Sequence, residues 1–89
     1  MRDWLVSDKL KKILDKLAKK DRTRCDATLK KMDEVINSEN PDHYKNLRYD
    51  LSVFKRTHID SHFVLIFKIE KNLIKFEDLQ HHDTIYRNK

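Results

Sequence analysis

Residues 53–87 read V-F-K-R-T-H-I-D-S-H-F-V-L-I-F-K-I-E-K-N-L-I-K-F-E-D-L-Q-H-H-D-T-I-Y-R, and this stretch decides the fold. Two apolar runs, Phe63–Ile69 and Leu73–Leu79, read as strands joined through Lys71 and Asn72. Phe63–Ile69 is almost continuously apolar, the pattern of a central strand covered on both faces. The chain has no glycine, so Asn72 is the residue expected to take positive φ in that turn. Leu51–Ile59 alternates loosely and reads as a further strand, with Asp60-Ser61-His62 turning the chain into the next one. Four of the five histidines, His58, His62, His81 and His82, fall at the ends of these runs. Imidazoles and cations gathered at strand ends in a small basic chain point to acid–base chemistry on a phosphate polymer.

What precedes this stretch reads as its packing. Arg2–Val6 is a short extended segment carrying the only tryptophan. Ser7 and Asp8 can cap a helix, because a short oxygen side chain accepts bonds from unpaired first-turn N–H groups. Leu10, Ile13, Leu14, Leu17 and Ala18 then recur at helical spacing. Asp21 can cap a second helix, whose apolar stripe is Cys25, Leu29, Met32, Val35 and Ile36, with Thr28 at its edge. A connection this short predicts an antiparallel helix hairpin. Asn37–Asp42, with Pro41, is a loop, and His43–Tyr49 has no clear pattern. The order predicts an α+β fold: a short N-terminal strand and a helix hairpin packed on one face of a small antiparallel sheet. The other face is expected to lie open beside the histidines.

The 89 residues suit a single domain, 1–89. A chain of this size buries roughly 60–65% of its unfolded surface, so its core must be efficient. A net charge of +5 favours a polyanionic partner. The lysines on the two helices are most simply a solvated face, with an RNA-facing surface as the alternative. Cys25 is the only cysteine and can form no internal disulfide, which fits a reducing compartment; within its stripe it reads as a small core residue. No run approaches the ~18 apolar residues of a membrane helix, and no signal-peptide pattern opens the chain. A cytoplasmic protein is the expectation.

Phe54-Lys55-Arg56-Thr57-His58-Ile59-Asp60-Ser61-His62-Phe63-Val64-Leu65-Ile66-Phe67 resembles the strand–turn–strand of the RelE/ParE toxin superfamily, most closely its YafQ branch. That branch runs aromatic, Arg, two variable residues, His, aliphatic, acidic, Pro, Asp, aromatic, then an aliphatic run ending in Tyr. Leu73-Ile74-Lys75-Phe76-Glu77 resembles its last strand, and His82-Asp83-Thr84-Ile85-Tyr86 its closing His-x-x-aliphatic-aromatic signature. The resemblance implies a RelE-like fold and a toxin that cleaves messenger RNA, usually on the ribosome, and is silenced by a co-expressed antitoxin. By position, His58 matches the family's catalytic strand histidine, His82 the histidine of its last strand and Tyr86 its terminal aromatic. Lys55 stands where arginine is usual. Relatives usually carry aspartate where this chain has His62, proline where it has Ser61, and often histidine where it has Lys45.

RNA cleavage without a metal needs a base for the 2′-hydroxyl, an acid for the departing 5′-oxygen and cations for the phosphorane charge. Histidine suits both proton roles, because its ordinary pKa of about 6.5 lies near working pH. His58 and His82 are the expected proton-transfer pair, with the assignment of base and acid left open by the sequence. Lys45, Lys55, Arg56 and Arg87 are candidates for a phosphate clamp. Tyr86 can stack on a base or share a proton transfer, and His62 can replace the missing aspartate in positioning a neighbour. His43 and His81 read as polar surface. Zinc held by His58, His62, His82 and Asp83 is the weaker reading, since His-x-x-x-His gathers one metal mainly on a helix and here spans a turn. No cofactor is expected. The competing functions are a ParE-like gyrase poison on the same fold and an inactive RNA- or protein-binding module.

Overall fold

The computed structural model describes residues 3–39, 44 and 54–83. Strand β1 (Asp3–Val6) leads into helix α1 (Asp8–Lys20) and helix α2 (Arg22–Asn37). Strands β2 (Lys55–His58), β3 (Phe63–Glu70) and β4 (Leu73–His81) follow. This is the expected α+β arrangement, with the two helices on one face of a four-stranded sheet ordered β1-β4-β3-β2. The sheet is mixed, not wholly antiparallel. β2, β3 and β4 form an antiparallel meander, whereas β1 runs parallel to β4, Asp3 opposite Leu73 through Val6 opposite Phe76. Residues 51–53 of the strand expected over Leu51–Ile59 lie outside the described residues, and its regular part is Lys55–His58.

Ser7 joins the sheet to the helical layer. Its N–H donates to the Phe76 carbonyl at 2.9 Å, which continues the β1–β4 pairing by one residue. Its Oγ then accepts the Leu10 N–H at 3.0 Å as the α1 N-cap and donates to the Glu77 carbonyl at 2.7 Å. Asp21 works twice in the same way. Its N–H closes α1 on the Leu17 carbonyl at 2.8 Å, and its Oδ1 caps α2 by accepting the Arg24 N–H at 3.2 Å. One residue between two helices forces the tight hairpin that the interrupted stripe predicts.

The core lies between the helices and the sheet, where Leu10, Met32, Val35 and Ile36 meet Leu65, Phe67, Ile74, Phe76 and Leu79. Each large side chain fully buried there contributes about 1.5–3 kcal/mol. The α2 stripe is rotated from the expected one. Thr28 is fully buried, its hydroxyl donating to the Arg24 carbonyl at 2.8 Å, while Leu29 is 47% exposed. A threonine whose hydroxyl is satisfied within its own helix packs as a small apolar residue. Cys25 is buried, with Sγ 3.8 Å from the Leu14 carbonyl.

The β3–β4 turn corrects a second expectation. Lys71, not Asn72, takes positive φ, at 56°. Positive φ at the first central residue alone is the sign pattern of a type II′ turn, and it falls on the residue at that position whatever its type. The same end of the sheet carries Lys75–Glu70 at 2.5 Å and Lys68 between Glu70 and Glu77 at 4.0 and 3.9 Å.

The feature that governs the histidines is a bulge. Phe67 pairs with Phe76 but Ile66 pairs with Asp78, so Glu77 is an extra residue on β4. An extra residue reverses the strand's alternation beyond it. Ile74 and Phe76 before the bulge, and Leu79 and His81 after it, therefore share the helix-facing side with Ile69, Phe67, Leu65 and Phe63. The bulge is anchored by Asp78, whose Oδ1 accepts the Leu79 N–H at 2.8 Å and whose Oδ2 takes Lys9 Nζ at 3.0 Å and the Gln80 amide. On the opposite face Val64 and Ile66 are buried too, flanked in register by His58 and Gln80 and by Arg56 and Asp78.

Candidate active site

The meander brings the C-terminal ends of β2 and β4 beside the start of β3, and four imidazoles collect there. Antiparallel register sets His58 opposite Val64 and Phe63 opposite His81. Val64 and Phe63 point to opposite sides of β3, which parts His58 from His81, and the four rings form two pairs. His58 and His82 approach with ring centroids 5.4 Å apart, tilted by 36°. His62 stacks on His81 at 6.0 Å and 20°, and His81 also meets the Phe63 ring edge-on at 5.3 Å. Strict alternation from Phe76 would have carried His81 away from the helix side. The bulge at Glu77 sets it beside Phe63, and His82, the first residue after β4, approaches His58.

The 59–63 turn holds the strand ends in place. The Ile59 N–H donates to the Phe63 carbonyl at 2.9 Å, and the His82 N–H donates to the His62 carbonyl at 2.6 Å. Asp60 Oδ1 accepts both the His62 and Phe63 N–H groups, at 2.8 and 2.9 Å. Burial raises the Asp60 carboxyl, but these two donors and the Arg24 guanidinium outweigh it and hold it below its ordinary value. His58 is held below its ordinary 6.5, first by partial desolvation of the ring and then by the positive charges of His82 and Arg56. Asp83 lies beside the His81 and His82 imidazoles, 3.7 Å from His82 Nδ1 and 3.9 Å from His81 Nδ1, as an ion-pair partner when either ring is protonated.

The cations are divided. Arg56 pairs in register with Ile66 and so lies on the His58 side of β2. Lys55 pairs with Phe67 on the core side, where its Nζ donates to the Tyr44 carbonyl at 3.3 Å and Tyr44 packs edge-on against Phe67 at 5.6 Å. Lys45, Tyr86 and Arg87 lie outside the described residues, as does His43. A shallow recess of about 620 Å³, lined by Asp3, Glu70, Lys71, Asn72 and Leu73, sits at the opposite end of β3 and β4 and contains none of the histidines.

Two residues at this end carry little signal in the sequence. Asp83 is adjacent to His82 in the chain, and its residue type alone suggests a metal ligand before an ion-pair partner. Arg24 gave one signal, a cation in the first turn of a helix, where the macrodipole disfavours positive charge. Among the described residues, no group of three or more histidine, cysteine, aspartate or glutamate side chains is placed to hold a metal ion.

No family model matches the chain. It is, however, 49% identical over 86 residues to "Putative toxin RelE4" of Methanocaldococcus jannaschii, an alignment that covers 94% of this chain and 89% of the relative. The chain belongs to the RelE/ParE superfamily of toxin–antitoxin toxins. It is also 43% identical over 83 residues to an uncharacterized protein of Methanosarcina mazei, with 91% of this chain and 94% of that one covered. Solved structures of the superfamily share the fold. Escherichia coli YafQ superposes with a TM-score of 0.68 at 20% identity, over 97% of this chain and 99% of YafQ. A chain of the YoeB–YefM complex of Staphylococcus aureus superposes with a TM-score of 0.74 at 10% identity, over 92% and 98%. Within the RelE/ParE fold of this chain, the His58–His82 end of the sheet is the place where proton-active side chains converge. No helix among the described residues is long and apolar enough to cross a membrane.

Proposed function

We propose that this toxin is a metal-independent endoribonuclease that cleaves messenger RNA on the ribosome, with His58 and His82 as its proton-transfer pair. The reading rests on the 5.4 Å approach of these two rings, which lets both reach one phosphodiester. His58 is the base. Its lowered pKa keeps the imidazole neutral near pH 7, ready to take the 2′-hydroxyl proton. The 2′-oxygen attacks phosphorus, the P–O5′ bond breaks, and His82 delivers a proton to the departing 5′-oxygen. The products are a 2′,3′-cyclic phosphate and a 5′-hydroxyl. Arg56, on the same side of β2 as His58, steadies the charge of the phosphorane. Lys45 and Arg87 are proposed to complete the clamp and Tyr86 to stack on a base. Lys55, engaged with Tyr44, acts more remotely, and His62 serves in positioning.

A protein antitoxin is the second proposed partner. A small chain of net charge +5 is a natural dock for an acidic amphipathic segment, and one related fold was solved as the DinJ–YafQ toxin–antitoxin complex. The function is tested by adding purified toxin to translating ribosomes and mapping new 5′ ends on the message. His58→Ala and His82→Ala should each lower cleavage roughly 10²-fold or more. Undiminished cleavage by both variants removes the pair from the mechanism. Gyrase-dependent DNA breaks without RNA cuts would instead place the chain with the gyrase poisons.

A further inference from the structure

We infer that Arg24, on the first turn of α2, is a positioning residue that sets the spacing of His58 and His82 by clamping the β2–β3 turn. The inference rests on the reading of those two histidines as the proton-transfer pair. Its geometry is a continuous set of contacts from the helix layer to the end of the sheet. The Arg24 guanidinium donates Nε–H to Asp60 Oδ2 at 3.2 Å and an Nη1–H to Asp21 Oδ2 at 2.8 Å. Its Cζ lies 4.1 Å from the centre of the Phe63 ring. A planar fork is thus held by two carboxylates while its face covers an aromatic ring, a combination that lysine cannot reproduce.

Each of these contacts leads to a histidine. Asp60, held by Arg24 through one oxygen, uses the other to fix the His62 and Phe63 N–H groups. The His62 carbonyl in turn takes the His82 N–H, so the turn carries the end of β4 with it. Phe63, pressed by the guanidinium, meets His81, the residue before His82, edge-on. On the other side of the turn, Ile59 follows His58 and is bonded to the Phe63 carbonyl. His82 is therefore bonded directly to a residue that Asp60 holds, and His58 is tied through its neighbour Ile59 to Phe63, which both Asp60 and Arg24 contact. The position argues against a merely electrostatic ornament. A cation at a helix N-terminus opposes the macrodipole, and the site tolerates it because Asp21 and Asp60 flank it. The Arg24 side chain is 25% exposed, and the two carboxylate side chains are 36% and 35% exposed, so the clamp is partly shielded from screening.

The test follows the imidazoles as well as the reaction. Nuclear magnetic resonance titration of His58 is compared in the wild-type toxin, Arg24→Gln, Arg24→Lys and Asp60→Asn. When the clamp is released, His58 and His82 separate, and the His58 midpoint should rise toward 6.5. Arg24→Lys should recover only part of the shift. On a His82→Ala background, Arg24→Gln should move His58 much less, because the neighbour it positions is gone. A displacement of about 1 Å at the reacting groups should lower message cleavage roughly 10²-fold. A folded Arg24→Gln protein whose His58 midpoint stays at the wild-type value overturns the inference. If Arg24→Gln fails to fold, Asp60→Asn, which releases the turn but leaves the Asp21 pair and the Phe63 stack, decides by the same measurement. If the wild-type toxin cuts no RNA, the nuclease reading fails while the titrations still report whether Arg24 spaces the pair.

Discussion

Replacing Ser7 by alanine separates the helix layer from the sheet at one atom. The Ser7 hydroxyl makes two bonds, accepting the Leu10 N–H at 3.0 Å and donating to the Glu77 carbonyl at 2.7 Å. Loss of an N-cap side chain costs about 1 kcal/mol. The second bond, to a partly buried carbonyl on the bulge, contributes about 1 kcal/mol more. Alanine should therefore destabilise the fold by about 2 kcal/mol. For a domain of 60–100 residues each kcal/mol lowers the melting temperature by about 4–8 °C, which gives a drop of about 8–16 °C. Circular dichroism melts of wild type, Ser7→Ala and Ser7→Thr measure it, and threonine, which keeps the hydroxyl, should recover most of the loss. A Ser7→Ala melt within about 2 °C of wild type would refute the claim that this hydroxyl couples α1 to the bulge.

Because the folded-state pKa of His58 is lowered, its contribution to stability is complete above 6.5 and is lost as pH falls through its folded value. Melts taken from pH 7.5 to 5.5 should show a loss that shrinks in His58→Asn; an identical loss in both proteins would assign it to other groups. Lys71→Gly should stabilise by about 0.5–1 kcal/mol, because glycine takes positive φ without the ~1–2 kcal/mol that a side chain incurs but has more chain entropy to lose. A lower midpoint in urea for that variant contradicts the turn assignment. Deleting Glu77 leaves Phe67 opposite Phe76 and Ile66 opposite Asp78 with regular alternation, so Leu79 should stay buried and nuclear Overhauser contacts between His58 and His82 should persist. Loss of those contacts in a folded deletion variant would show that the bulge does more than correct the phase.

The sequence by itself determined the elements and the chemistry available to them. Helical stripes, the capping oxygens of Ser7 and Asp21, and the apolar runs from Phe63 and Leu73 are local patterns, and local patterns survive folding. The same is true of the strand-end histidines, whose link to phosphate chemistry depends only on residue type. Leu29 and Thr28 exchanged roles because a stripe fixes a helix's apolar side only to within about one residue, and the facing sheet chooses the angle. Lys71 took the left-handed position because the two-residue connection demands it there, whichever side chain is present. Lys55 and Arg56, adjacent in sequence, parted because neighbouring strand residues face opposite ways.

Which histidines would meet was a matter of register alone. His81 and His82 are chemically equivalent along the chain; a single extra residue, Glu77, sets His81 on the Phe63 side, while His82, just past the end of β4, meets His58. The parallel docking of β1 and the reach of Arg24 to a turn 36 residues away are likewise fixed only when the layers close on one another. Composition supplied the imidazoles; the pairing of β2, β3 and β4 across a bulge brought two of them to one place, because strand phase is a property of the sheet and not of any strand alone.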